Sequence, residues 1–222
     1  RYKFTAAEQH KLGAAGIGVE GRSVGNMAAV TFALEGIGGE FRIADFDELS
    51  LSNLNRLRGG IADLCVNKTV LAARELYEID PYLRIHRYAT GITQENMDAF
   101  LLEGGRLDLL VEECDDLYVK LAIRERCRAL RIPVIMDTSD RGLLDVERFD
   151  LEPDRPILHG LVGDVRAEAL KGLPTKDKVP IVLNILGGHA MSARMAASLP
   201  EVEQSIGTWP PSTTAWANWS GL

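Results

Sequence analysis

From residue 14 to residue 45 the chain reads as strand, glycine break, helix and strand, and this order constrains the fold more than any other stretch. Ala14 to Val19 is an apolar run with the length of a buried strand, and Gly21-Arg22-Ser23-Val24-Gly25 breaks it. Residues 26–35 carry helical periodicity and end in the glycines of Gly36 to Gly39, and Phe41 to Asp45 reads as a second strand. A strand that passes through a short loop into a helix and returns as a neighbouring strand opens a doubly wound sheet.

The alternation continues. Residues 68–79 form an amphipathic helix closed by Asp80-Pro81, 82–88 a strand, 93–103 a helix, 107–112 an apolar strand, 116–131 a long helix and 133–136 another strand. Strands and helices in turn, joined by short connections, predict a Rossmann-like α/β fold with a mostly parallel sheet and helices on both faces. A short helix over 5–13 precedes it, with Thr5 and Glu8 spaced as a capping box. Residues 1–140 are expected to form the nucleotide-binding core. Residues 141–222 read as a loop-rich extension of the same domain, with a strand near Ile157–Leu161 and helices over 176–186 and 191–199.

Composition removes several function classes. A net charge of -7 without a basic run argues against a nucleic-acid groove. No apolar run reaches the roughly 18–20 residues that span a bilayer. The three cysteines, Cys65, Cys114 and Cys127, stand apart with no CxxC pair, which argues against a zinc site or a disulfide framework and for a cytoplasmic protein. The four histidines, His10, His86, His159 and His189, show no metal-ligand spacing and receive no role.

A glycine loop between a buried strand and a helix turns backbone N–H groups and the positive helix end toward an anion, usually phosphate. The string Gly16-x-Gly18-x-x-Gly21 fits a dinucleotide fingerprint literally, but its first two glycines fall inside the expected strand. The usable loop is Gly21, Ser23 and Gly25. Twenty residues beyond Gly25, Asp45 ends the second strand, where a carboxylate can hydrogen-bond a ribose hydroxyl.

The residues that follow separate the chain from a dehydrogenase. Asp45-Phe46-Asp47-Glu48-Leu49-Ser50-Leu51-Ser52-Asn53-Leu54-Asn55-Arg56 resembles the DxDxVxxSNLxRQ signature of the ubiquitin-activating (E1-like) adenylyltransferase superfamily, which includes ThiF- and MoeB-type proteins. Further resemblances arrive in order: Asp63 to Lys68 is similar to the family's D-x-G-x-x-K, Glu78-Ile79-Asp80-Pro81 to its helix stop, and Glu112-Glu113-Cys114-Asp115-Asp116 to its D-C-x-D-N. The resemblance covers about residues 10–140.

It implies Mg-ATP-dependent adenylation of a carboxylate, such as the C-terminus of a ubiquitin-like protein, a peptide or a small acid, by a homodimer. It implies that Asp45 holds the ribose with Asp47 in or near the same site, that Asn53, Arg56 and Lys68 meet the phosphates, and that Asp115 anchors Mg²⁺. The chain departs from the pattern at Ser23 and Cys65, where glycines are usual, at Leu57 in place of glutamine, and at Asp116 in place of asparagine. It has no cysteine after Cys127, so no thioester step is expected. The compact loop is also similar to the front half of longer bacterial proteins with a nitroreductase-like flavin domain. Two rival readings stand: a degenerate module that binds nucleotide or dimerises without turnover, and an NAD(P)-dependent oxidoreductase, which requires Gly16 to Gly21 to be loop.

Overall fold

The computed structural model describes residues 4–21, 25–55, 57–137, 143–188, 191 and 193–198. Helix α1 (Ala6–Gly13) begins at the capping box, with Thr5 accepting from the Glu8 amide and Glu8 accepting from the Thr5 amide. The unit that follows is β1 (Gly16–Glu20), α2 (Gly25–Leu34) and β2 (Glu40–Ala44). After it come α3 (Lys68–Ile79), β3 (Arg84–Tyr88), α4 (Met97–Leu102), β4 (Leu109–Glu112), α5 (Leu117–Leu130) and β5 (Val134–Asp137). The chain then forms β6 (Leu144–Glu147), α6 (Thr175–Ile185) and α7 (Ala193–Ser198).

Among the described residues, six strands form one sheet in the order β3-β2-β1-β4-β5-β6. The first five run parallel and β6 pairs antiparallel with β5. This is the doubly wound order, and the chain reverses its direction of growth between β1 and β4. One face of the sheet packs Ile17, Val19, Phe41, Ile43 and Val111 against Met27, Ala28, Ala72 and Leu76 of α2 and α3. The other packs Leu110, Val134 and Met136 against Phe100, Leu121 and Cys127 of α4 and α5. Gly16 and Gly18 lie within β1, where a Cβ on Gly18 would stand 2.5 Å from Leu107 Cδ1. These glycines make room for core side chains, so the register required by the oxidoreductase reading is not met.

The expected strand near Ile157–Leu161 is instead a 3-10 turn over Ile157–Gly160. Leu158, His159 and Gly160 have φ values of 47, 52 and 83, so the backbone runs left-handed through all three. This costs roughly 1–2 kcal/mol for each residue with a Cβ. An apolar run that looks like a strand is anchored here by burial of Ile157 and Leu158. The sixth strand, Leu144–Glu147, lies in sequence that reads as loop. The expected helix over 191–199 falls partly outside the described residues, within which α7 spans Ala193–Ser198.

Candidate functional site

The carboxyl ends of β2, β1 and β4 meet at Gly21. Its amide donates to the Ala44 carbonyl at 3.1 Å, and the Glu113 amide donates to the Glu20 carbonyl at 2.8 Å. Gly21 has φ +80, and a Cβ there would stand 2.4 Å from the Glu113 carbonyl oxygen. Only glycine permits this approach. Gly25 opens α2 and is buried against Val19. Ser23 and Arg56 lie outside the described residues.

Asp45 follows β2 and is 8% exposed. Its amide donates to the Tyr88 carbonyl at 3.2 Å, and its Oδ1 accepts from the Asp47 amide at 2.8 Å. Asp47 in turn holds Lys68. The Lys68 amide donates to the Asp47 carbonyl at 2.9 Å, and the ammonium donates to Asp47 Oδ2 at 2.7 Å. Asn67 caps α3 by accepting from the Thr69 amide and donates its side-chain N–H to the Asp45 carbonyl at 3.3 Å. A lysine at the first position of a helix opposes the macrodipole, and here the Asp47 carboxylate supplies the compensating charge. Lys68 is buried, with 7% of its surface exposed. Asn53 lies in a 3-10 turn over Leu51–Asn55 and accepts through Oδ1 from the Ser50 amide at 3.2 Å.

Asp115 stands at the exposed turn after β4, across β1 from Asp45. The N-cap of α5 is Asp116, whose Oδ1 accepts from the amides of Tyr118 and Val119 at 2.8 and 3.1 Å. The helix therefore does not need Asp115 as its cap. Among the described residues no three or more His, Cys, Asp or Glu side chains gather to hold a metal. That donor set makes no all-protein cage. A Mg²⁺ ion held by one carboxylate, with phosphate oxygens and water completing its shell, would need no such cage. No described helix is long and apolar enough to cross a membrane.

Beneath this edge lies a charged network absent from the sequence reading. Glu20 and Glu112 end adjacent strands in register. Glu112 accepts from Lys120 Nζ at 2.9 and 2.8 Å and from the Cys114 amide at 2.8 Å, and it pairs with Arg124. Arg124 reaches Glu147 Oε2 at 2.8 Å. Burial pushes the Glu20 carboxyl up to about 8, and the neighbouring Glu112 carboxylate adds to the rise. Burial acts on Glu112 the same way, but Arg124 and Lys120 together outweigh it and hold Glu112 below the ordinary range. Burial also raises Glu113 well above that range, although its Oε1 accepts from the Asp137 amide at 2.7 Å. The sequence signal for the network was a glutamate ending each of two apolar strands, with Lys120 and Arg124 four residues apart on α5.

Comparison with known proteins matches residues 2–194 to a family model described as ThiF family. An uncharacterized protein of Mycobacterium tuberculosis is 51% identical over 210 residues, which is 95% of this chain and 29% of that protein. A molybdopterin-synthase adenylyltransferase of Haemophilus influenzae is 26% identical over 160 residues, covering 72% of this chain and 64% of that enzyme. The chain thus spans less than two thirds of either relative. The solved structure of E. coli tRNA N6-threonylcarbamoyladenosine dehydratase in complex with AMP has the same fold, with a TM-score of 0.56 at 23% identity over 62% of this chain and 56% of that one.

Proposed function

The chain belongs to the ThiF family, and on that premise we propose that it adenylates a carboxylate with Mg-ATP. The observation that carries the reading is the convergence on Gly21: buried Asp45 beside it after β2, the Asp47–Lys68 pair behind, and the Asp115 turn after β4. This crevice, outside the carboxyl ends where the strand order reverses, is where open α/β sheets bind ligands.

In this reading Asp45 accepts hydrogen bonds from the ribose hydroxyls, with Asp47 in or near the same site. Gly21, Ser23 and Gly25 bring backbone against the phosphates, and Asn53, Arg56 and Lys68 donate to them. A carboxylate oxygen of the substrate attacks the α-phosphorus. The bond from that phosphorus to the bridging oxygen breaks, and pyrophosphate leaves with the electron pair. The substrate is its own nucleophile, so the protein supplies position and positive charge rather than a general base. Asp115 would hold Mg²⁺, which supplies further positive charge against the phosphate oxygens. The carboxylate belongs to a ubiquitin-like protein, a peptide or a small acid, and the working unit is a cytoplasmic homodimer with residues 1–140 as its core. No zinc and no thioester step enters.

The test is ATP–pyrophosphate exchange with Mg²⁺ over a panel of peptide and ubiquitin-like carboxylates. Exchange that requires an added carboxylate and disappears in Lys68→Ala supports the reading; silence with every carboxylate rejects it. One observation favours the second reading, a module that binds nucleotide without turnover: the Lys68 ammonium is already neutralised by Asp47. That reading predicts ATP binding by calorimetry without exchange.

A further inference from the structure

We propose that Arg58, oriented by Glu75, is a further phosphate-binding residue of this crevice and contacts the triphosphate of ATP beside the glycine break. The inference deepens the adenylation reading and rests on it for the identity of the ligand.

The placement follows from one carboxylate. Glu75 of α3 accepts from Arg58 Nη1 through Oε1 at 2.8 Å and from Asn26 Nδ2 through Oε2 at 2.9 Å. Asn26 is the second residue of α2, follows Gly25 directly and is 3% exposed. A single bridging carboxylate therefore separates the Arg58 guanidinium from the residue that leaves the glycine break.

The stagger of two helices brings this bridge to the crevice. Both α2 and α3 run back from the carboxyl edge of the sheet, and they pack together through Met27, Ala28, Ala72 and Leu76. Lys68 and Glu75 stand seven residues apart on one face of α3, about 10 Å along its axis. Glu75 nevertheless meets the first turn of α2. Helix α3 thus begins further out than α2, and its first two turns flank the glycine break. Lys68 heads this wall and the Arg58–Glu75 pair stands at its base.

Arg58 arrives there on the segment that carries the other expected phosphate donors. The Leu49 amide donates to the Val66 carbonyl at 2.9 Å and the Cys65 amide to the Leu49 carbonyl at 3.0 Å, which closes the segment onto the start of α3. The Leu57 amide donates to the Asn53 carbonyl at 2.9 Å, so the turn that holds Asn53 leads straight into Arg58. Among the described residues of 45–67, Arg58 is the only lysine or arginine.

The chemistry suits a phosphate. Asp45 at the end of β2 places the ribose so that the phosphates run toward the glycine break at the end of β1. A guanidinium is a planar fork of donors matched to phosphate oxygens, and it keeps its charge at any working pH. The Arg58 side chain is 45% exposed and that of Glu75 22%, so a phosphate can reach the cation while the carboxylate that aims it is shielded. Glu75 acts through Arg58 and is a positioning residue.

The experiment titrates the full chain by calorimetry, in the presence of Mg²⁺, with ATP and with adenosine, which has the base and ribose but no phosphate. Arg58→Ala is expected to weaken ATP binding about tenfold, the loss of one charge-assisted hydrogen bond, and to leave adenosine binding at the native level. Glu75→Ala is expected to weaken ATP binding severalfold, and Glu75→Gln, whose amide oxygen still accepts from Arg58, to recover most of that loss. Native ATP affinity in Arg58→Ala, or equal losses for ATP and adenosine, overturns the inference while the adenylation reading stands. Unchanged or tighter ATP binding in Glu75→Ala overturns the positioning role. A native chain that binds no ATP ends the adenylation reading and this inference with it.

Discussion

Lys68 is bound to Asp47 at both ends, backbone amide to carbonyl at 2.9 Å and ammonium to carboxylate at 2.7 Å. The lysine side chain is 9% exposed, whereas that of Asp47 is 50% exposed. Removing the lysine therefore leaves a carboxylate that water can solvate, and the loss of a half-exposed pair costs at most about 1 kcal/mol. We expect Lys68→Ala to weaken ATP binding by at least tenfold in calorimetry while its thermal midpoint stays close to native. A large drop in midpoint with unchanged ATP affinity would make the pair structural and remove Lys68 from the site.

Cys65 is an exposed residue at φ 63, at a position where the family pattern has glycine. The departure in sequence thus has a cost in backbone energy. Replacing a left-handed residue by glycine removes roughly 1–2 kcal/mol of strain and returns about 0.5–1 kcal/mol through the freer unfolded chain. Cys65→Gly is expected to stabilise the protein by about 0.5–1 kcal/mol in urea unfolding, and Cys65→Val to destabilise it. Equal stability in all three would show that the turn relaxes around the side chain.

The part of the fold most legible in the sequence was the part where burial follows the period of the element. Ile17, Val19, Phe41 and Ile43 announce two central strands because they face a helical layer. The same logic hid β6, in which Asp145 and Glu147 alternate inward to meet His159 and Arg124, so the strand reads as polar loop. It also misread Ile157 to Leu161, where apolar residues anchor a turn rather than a strand. At the candidate site, the motif pointed to Asp45, Asp47, Lys68 and Asp115, and spacing alone could not show that Asp47 would grip Lys68 or that Asp116 would cap α5. Those facts depend on how loops from distant strands meet.

Arg124 joins β4, α5 and β6 through Glu112 and Glu147, and all three side chains have 0% exposure. Truncating the arginine leaves two desolvated carboxylates with Lys120 as the remaining close cation on Glu112. Breaking a buried pair from one side costs about 3–5 kcal/mol. Arg124→Ala is expected to lose that amount in denaturant unfolding, with a larger effect than Lys120→Ala. A loss below about 1 kcal/mol would mean that the network is hydrated in solution.

Glu20 makes the stability of this edge depend on pH. Its folded carboxyl titrates near 8 rather than near its ordinary value of 4.5, first because it is buried and then because Glu112 lies beside it. Between those values the folded chain holds a proton that the unfolded chain has released. Stability from this group is therefore complete below about pH 4.5 and declines as pH rises through 8. Glu113 and Glu147 are shifted in the same direction by burial, so the informative quantity is a difference between proteins. Glu20→Gln keeps the shape and removes the titration. Its stability, measured by urea unfolding from pH 5 to pH 9, is expected to fall less steeply than that of the native chain and to exceed it above pH 8. Parallel curves over that range would show that Glu20 is ionised in the folded state at neutral pH and that Lys120 and Arg124 neutralise both strand-end carboxylates.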